Sequence, residues 1–189
     1  MNIIQIGCND CNDEANKFIL ENKDLINKFL VIDALPKCTE IAKATYSFLG
    51  DKLTVVNCAI GTENGLIKFY FPSNDDKCGH SSISENHLYR HLHESVSSIT
   101  VPIVDANLIF EFFKEKVDWF FIDTEGLDVS ILLHLDFEKY APDNIHYEFA
   151  HSDGPFTVGS KHSELVQKLG GYNYSLTRTS AQNITARKK

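Results

Sequence analysis

Strand and helix signals alternate along this chain from its first residues, and that alternation restricts the fold more than any other feature. Residues 2–6 are a short apolar run that stops at Gly7. Asn12-Asp13 offers an N-cap, after which Ala15, Phe18, Ile19, Ile26 and Phe29 recur at roughly helical spacing. A second buried-strand run covers 29–32 and ends at Asp33 and Pro36, and residues 37–49 read as a helix closed by Gly50. Residues 53–60 are a predicted third strand. A turn at 61–65 leads into an alternating run at 66–71, so these two are expected to form a hairpin-like extension. Further strands at 99–104, 117–122 and 144–150 alternate with helices at 105–116, 127–135 and 160–169. A short helix is expected at 85–94, and segments 172–176 and 183–186 suit an antiparallel closing pair. Strands separated by helices predict an α/β fold, a doubly wound, mostly parallel sheet covered on both faces. With no repeat, low-complexity tract or linker, residues 1–189 are expected to form a single domain.

Composition narrows the function. The net charge of -8 repels phosphate backbones and argues against a nucleic-acid partner. The first residues lack the basic and long apolar stretches of a signal peptide. No apolar run approaches the ~18 residues of a membrane helix. A soluble, cytoplasmic protein without a membrane partner is expected. The basic tail at 186–189 reads as a solvated terminus. Cys8, Cys11, Cys38, Cys58 and Cys78 are odd in number, which suits reduced thiols. The Cys8-Asn9-Asp10-Cys11 spacing reads as a tight loop rather than a redox or zinc motif, since a second ligand pair is lacking.

In such a sheet, ligands bind beyond the carboxyl ends of the strands, near the switch in strand order. Gly7 lets the first loop approach a ligand closely. The dinucleotide pattern G-x-G-x-x-G is absent, which argues against a nicotinamide oxidoreductase. Asp33, at the end of the second strand, can accept hydrogen bonds from both ribose hydroxyls of a nucleoside. After the third strand, the Asn57 amide can read an adenine edge and Ala59 leaves room for the ring. Asp123-Thr124-Glu125-Gly126 interrupts a fully apolar run. His146 and Glu148 share one face of the next strand, because strand side chains alternate. If those strands are neighbours, Asp123, Glu125 and Glu148 gather at one rim, where close carboxylates need a cation, a donor or a proton. The rim could therefore take Mg²⁺, a substrate hydroxyl or a base of raised pKa. His151 and His80 are further cleft candidates. His87, His91 and His93 read as solvated residues of a surface helix.

These pieces resemble a family. Gln5-Ile6-Gly7-Cys8-Asn9-Asp10, Val31 through Pro36, Asn57-Cys58-Ala59-Ile60-Gly61, Ser81-Ser82, Val101-Pro102-Ile103, residues 117–126 and Glu148 are similar, in order and spacing, to the FkbM-type methyltransferases. The most specific stretch is the hydrophobic strand ending in D-x-E-G. The resemblance implies a class I methyltransferase fold and S-adenosylmethionine as methyl donor. It also implies O-methylation of a small hydroxylated acceptor such as a sugar. By position, Gln5, Gly7, Cys8, Asn9 and Asp10 would serve the methionine end of the cofactor, and Asp33, Ala34 and Leu35 the ribose side. Asn57, Cys58 and Ala59 would flank the adenine, and Ser82 and Asp123 would complete the cofactor site. Asp123, Glu125, Glu148 and His151 would line the methyl-transfer side, each able to act as the base. The loop over 72–84 would be a lid. Three positions depart from the family pattern: Cys11 where a second glycine is usual, Asp33 where Glu is usual, and Ala34 in place of a frequent proline. A non-catalytic partner-binding module on the same fold is the alternative.

Overall fold

The computed structural model describes residues 1–73, 81–85 and 96–189. The helix expected over 85–94 beyond its first residue, the middle of the expected lid, Cys78, His80, His87, His91 and His93 lie outside them. In chain order the strands are β1 (Asn2–Ile6), β2 (Lys28–Asp33), β3 (Leu53–Asn57), β4 (Ala59–Gly61) and β5 (Gly65–Pro72). They continue as β6 (Val96–Asp105), β7 (Trp119–Ile122), β8 (Asn144–Glu148), β9 (Tyr174–Arg178) and β10 (Asn183–Lys188). The main sheet runs β3-β2-β1-β7-β8-β10-β9. All neighbours from β3 to β8 pair in parallel, while β10 is antiparallel to both β8 and β9. The closing pair read from the sequence is therefore present. The basic tail is not a free end, because β10 continues through Lys188 with Ala186 buried and only the flanking basic side chains exposed.

Helices cover the sheet because both faces of its central strands are apolar. The helices are α1 (Glu14–Glu21), α2 (Pro36–Thr45), α3 (Ala106–Phe113), α4 (Asp128–His134), α5 (Phe137–Tyr140) and α6 (Ser160–Gly171). Ile4, Ile6, Phe120, Ile122, Ile145 and Tyr147 join α3, α4 and α6 in one core. Ile3, Phe29 and Val31 pack with Ile19 of α1 and Ala42 of α2 in the other. Local chemistry sets the helix starts. Asp13 caps α1 by accepting from Asn16 N at 2.6 Å, Pro36 presets φ at the start of α2, and Asp105 caps α3 by accepting from Asn107 N at 2.8 Å. The first two helices are shorter than their periodicity suggested. Each gives way to a 3₁₀ turn, at Lys23–Leu25 and Ser47–Lys52, before the chain re-enters the sheet.

One expectation is corrected. Residues 53–60 are two strands, not one, and no hairpin joins them to the next. The main-sheet strand ends at Asn57, and Ala59–Gly61 belongs to a second, three-stranded sheet of order β4-β6-β5. Here β6 separates the two segments, running parallel to β4 and antiparallel to β5. The half-buried β3 and the buried β4 follow one another with only Cys58 between them, so periodicity could not reveal the break.

Strand order reverses between β1 and β7, the place where such sheets open a ligand crevice. The ladder is carried just past the strand ends by Gly7 N donating to Ile32 O (2.9 Å) and Asp123 N donating to Ile6 O (2.9 Å). Gly7 has φ +77, and a Cβ there would lie 1.8 Å from Asp123 O. Both the conformation and the space require glycine. Gly7→Ala is expected to lower the unfolding free energy by about 3 kcal/mol or to prevent folding. Gly170→Ala, where an added Cβ meets nothing within 4 Å, should leave stability equal or slightly raised. Urea unfolding of the two variants checks the contrast.

Candidate active site

The crevice is an open cleft at the carboxyl edge of β1, β2, β3 and β7, with an enclosed volume of about 100 Å³. Of the expected cofactor residues, Gly7, Asn9, Asp33, Ala34, Leu35, Cys58, Ala59 and Asp123 line it. Ile60, Phe69 and Ile83 add apolar wall, and Ser81, Thr124, Glu125 and Asp13 add polar groups.

The remaining expected residues sit behind this lining, where their side chains hold it together. Gln5 is buried and donates to Asp13 Oδ2 (2.9 Å) and Gly7 O (3.3 Å). Asp10 accepts from Asn12 N (3.1 Å), closing the first loop. The Asn57 amide donates to Asp33 O and Ala34 O, each at 2.9 Å, and so clamps the ends of β2 and β3. Ser82 is bridged to Tyr70 of β5, and its hydroxyl donates to Glu125 O at 3.2 Å. Cys8 is fully buried, and its hydrogen bond with Cys11, then burial, pushes its thiol pKa up. Cys11 N donates to Cys8 O at 2.7 Å, so the C-x-x-C spacing does close a tight loop. Cys11 adopts φ +54, so the loop keeps a glycine-like backbone without the glycine. A left-handed non-glycine residue costs about 1 kcal/mol, which tertiary packing around the buried side chain offsets.

Asp33 ties the loops of the cleft to one another. Its Oδ2 accepts from Cys8 N (2.9 Å), Asn9 N (3.3 Å) and the Cys8 thiol (3.5 Å), and its Oδ1 accepts from Leu35 N (2.9 Å). A carboxylate offers about four lone-pair sites. The protein occupies Oδ2 and leaves one direction at Oδ1, enough for one ribose hydroxyl rather than two. Burial raises its pKa, against the lowering effect of these donors.

The acidic rim is more crowded than the sequence suggested. In the turn after β7, Glu125 (φ +53) and Gly126 (φ +115) are both left-handed. Asp128, absent from the expected site, is buried at the start of α4. It accepts from Thr124 N (2.8 Å), the Thr124 hydroxyl and Glu148 N (2.9 Å), joining the β7 turn to the end of β8. Desolvation by the protein packed around it, then the charges of Asp128 and Glu125, raises the Asp123 pKa, although the residue itself is exposed to solvent at the cleft. Burial likewise pushes Asp128 up to about 7. Glu148 is pushed up to about 9 by burial, then by Asp123, Asp128 and Glu125. Asp13, read only as a helix cap, is a further carboxyl in the cleft with its pKa raised by burial. The signal for Asp128 was available: an acidic residue in the first turn of a helix, directly after an acidic turn. His146 shares the face of Glu148 as expected, but it pairs with Glu14 (2.7 Å) and Thr185 (2.9 Å), away from the rim.

Glu125, Glu148 and His151 bring potential ligand atoms within 4.8 Å of one another. His151 Nδ1 already accepts from Phe156 N at 2.9 Å. A metal on Nε2 would then leave a ring without any proton, an imidazolate. Metal-bound histidines normally donate from their other nitrogen instead. The trio does not fit a divalent ion.

A doubly wound sheet with an apolar cleft and an acidic rim at its switch point is the architecture of a methyltransferase. The profile of the methyltransferase FkbM domain matches residues 5–176, and the chain belongs to that family. Among solved structures, it is similar to the FkbM methyltransferase of Methylobacillus flagellatus KT, with TM-score 0.62 and 11% identity. The match covers 98% of this chain and 43% of that one, so the chain spans less than half the length of that relative. M. capricolum TrmK in complex with S-adenosyl-homocysteine aligns with TM-score 0.47 and 14% identity, over 100% of this chain and 62% of that one. The methyltransferase domain of bacterial CtHen1 aligns with TM-score 0.44 and 14% identity, over 98% and 88%. No curated protein matches the chain. Among the described residues, no helix is long and apolar enough to cross a membrane.

The raised carboxyls set a pH dependence. Folded Glu148 holds its proton more tightly than the unfolded chain does. Its stabilising effect is therefore complete below pH 4.5 and is lost as pH rises toward about 9. Asp128 acts with the same sign from 3.8 to about 7. Unfolding midpoints in urea should fall between pH 5 and pH 9, and Glu148→Gln should fall less steeply. Parallel curves for the two proteins would mean that Glu148 carries no such proton.

Proposed function

We propose that this chain transfers a methyl group from S-adenosylmethionine to a hydroxyl of a small, uncharged acceptor, such as a sugar. One observation carries the reading: a mostly apolar cleft lined by Gly7, Asp33, Ala34 and Ala59 shares Asp123 with a rim of carboxyls, of which Asp123, Asp128 and Glu148 have raised pKa values, at the switch point. In this reading the backbone at Gly7 and Asn9 holds the methionine end, and Asp33 Oδ1 accepts one ribose hydroxyl. Ala34, Leu35, Cys58, Ala59 and Phe69 enclose the adenine.

The bound cofactor supplies a methyl carbon already activated by its sulfonium. The protein's contribution is orientation, since a near-attack geometry is worth about 7–11 kcal/mol. The acceptor oxygen bonds to the methyl carbon as the carbon–sulfur bond breaks, the electron pair returns to sulfur, and the hydroxyl proton passes to a rim carboxylate. A cation beside the rim favours ionised carboxylates, so cofactor binding prepares the base. The acidic rim selects against anionic acceptors. Mg²⁺, expected as one occupant of the rim, has no task here, because protons and the cationic donor balance the charge.

Calorimetric titration tests the cofactor. S-adenosylmethionine should bind saturably at one site per chain, with and without chelator, and NAD should not bind. Ile83→Trp, at a half-exposed position of the cleft wall, should weaken binding at least tenfold while keeping the wild-type unfolding midpoint. Asp33→Ala should lose both binding and stability, since it frees three backbone N–H groups. Absence of binding to the wild type would favour the non-catalytic module instead.

A further inference from the structure

The loop after β8 decides where the proton on His151 sits. Asp153 organises it, accepting from Gly159 N (2.8 Å) and the Ser152 hydroxyl (3.1 Å). Asp153 N donates to Thr157 O (3.0 Å) and Thr157 N to Gly154 O (2.9 Å), closing a tight turn. Within it Phe156 has φ +49, rare for a bulky aromatic residue and costing about 1 kcal/mol or more. Phe156 is 64% exposed, and the packing of its ring is one tilted contact with the His151 ring, centroids 4.7 Å apart. The conformation does aim the Phe156 N–H at His151 Nδ1, 2.9 Å away. A ring nitrogen that accepts this bond carries no proton, so the imidazole proton is on Nε2. Nε2 lies 3.5 Å from Glu148 Oε1, within the cluster that includes Glu125. His151 is itself buried, so the ring is held in this orientation.

We propose that His151 is a positioning residue, locked by the backbone of Phe156 as an Nε2–H donor toward Glu148, so that Glu148 rather than His151 receives the acceptor's proton. The last clause rests on the methyl-transfer reading, whereas the lock is a property of the protein alone. The imidazole keeps its own proton throughout. It favours the ionised form of Glu148, against the pressure from Asp123 and Glu125 in the β7 turn and from Asp128 at the start of α4. The expected set of bases thereby reduces by one, with His151 moved to the hydrogen-bond shell around the carboxylates.

The test is nitrogen NMR of the cofactor-free protein with labelled histidine, His151 being assigned by its loss in His151→Gln. The expected result is an unprotonated Nδ1 and a protonated Nε2. Carboxyl carbon titration of Glu148 is the second readout. His151→Ala should raise its midpoint, while His151→Gln, which keeps an N–H donor near the same place but cannot act as a base, should leave it close to wild type. A protonated Nδ1, or equal effects of the two variants on Glu148, would overturn the proposal. Neither readout needs the cofactor or an acceptor. Failure of S-adenosylmethionine to bind would therefore sink the methyl-transfer reading while leaving the lock to stand or fall on its own data.

Discussion

The whole carboxyl edge of the sheet depends on how closely β1 approaches β7 where Gly7 faces the carbonyl of Asp123. Without a side chain at Gly7, two loops that lead to opposite halves of the sheet leave from almost the same point. One carries Asn9 toward Asp33, and the other carries Asp123 and Glu125 toward β8. That shared origin places the apolar cleft directly beside the acidic rim. Asp33 then fixes the arrangement by collecting N–H donors from the first loop and from the start of α2. Its role is thus architectural before it is chemical.

The second constraint is charge. Asp123, Glu125, Asp128 and Glu148 gather at one rim, with Asp128 buried, Glu125 and Glu148 half-buried and Asp123 open to the cleft, and so many close carboxylates repel one another if all are ionised. The protein resolves this in two ways. Asp128 receives three donors, from Thr124 and Glu148, which hold it in place although burial still raises its pKa. Asp123 and Glu148 keep their protons more tightly instead. In the methyl-transfer reading proposed above, the sulfonium cation would favour loss of those protons and so provide a carboxylate where a hydroxyl needs a base. The Phe156–His151 bond, as proposed above, turns the Nε2–H of His151 toward Glu148, whose Oε1 lies 3.5 Å away.

Much of this was legible in the residues. The order of strands and helices followed from apolar runs and caps, because helix and strand periods differ and Asp13, Pro36 and Asp105 mark helix starts by simple hydrogen-bond chemistry. The acidic residues that end β2, β7 and β8 were legible too, since carboxyls at the ends of apolar strands are conspicuous. Less legible was the division of labour among them. Gln5 and Asn57 looked like ligand contacts and hold backbone in place, while Asp13 looked like a cap and also faces the cleft. A polar side chain at a strand end has the same sequence signature whether it points at a ligand or at a neighbouring loop.

The amino-acid sequence by itself determined the layered α/β architecture, the family and the edge of the sheet where chemistry gathers, because all three depend on local periodicity and on residue order. Only the tertiary structure decided that residues 53–61 divide between two sheets, that Asp128 joins the rim, and which nitrogen of His151 holds a proton. Each of these depends on contacts between segments distant in the chain or on the sign of one backbone dihedral, as at Phe156. Neither leaves a periodic trace in the sequence, because the same residue types would serve equally well in the alternative arrangement.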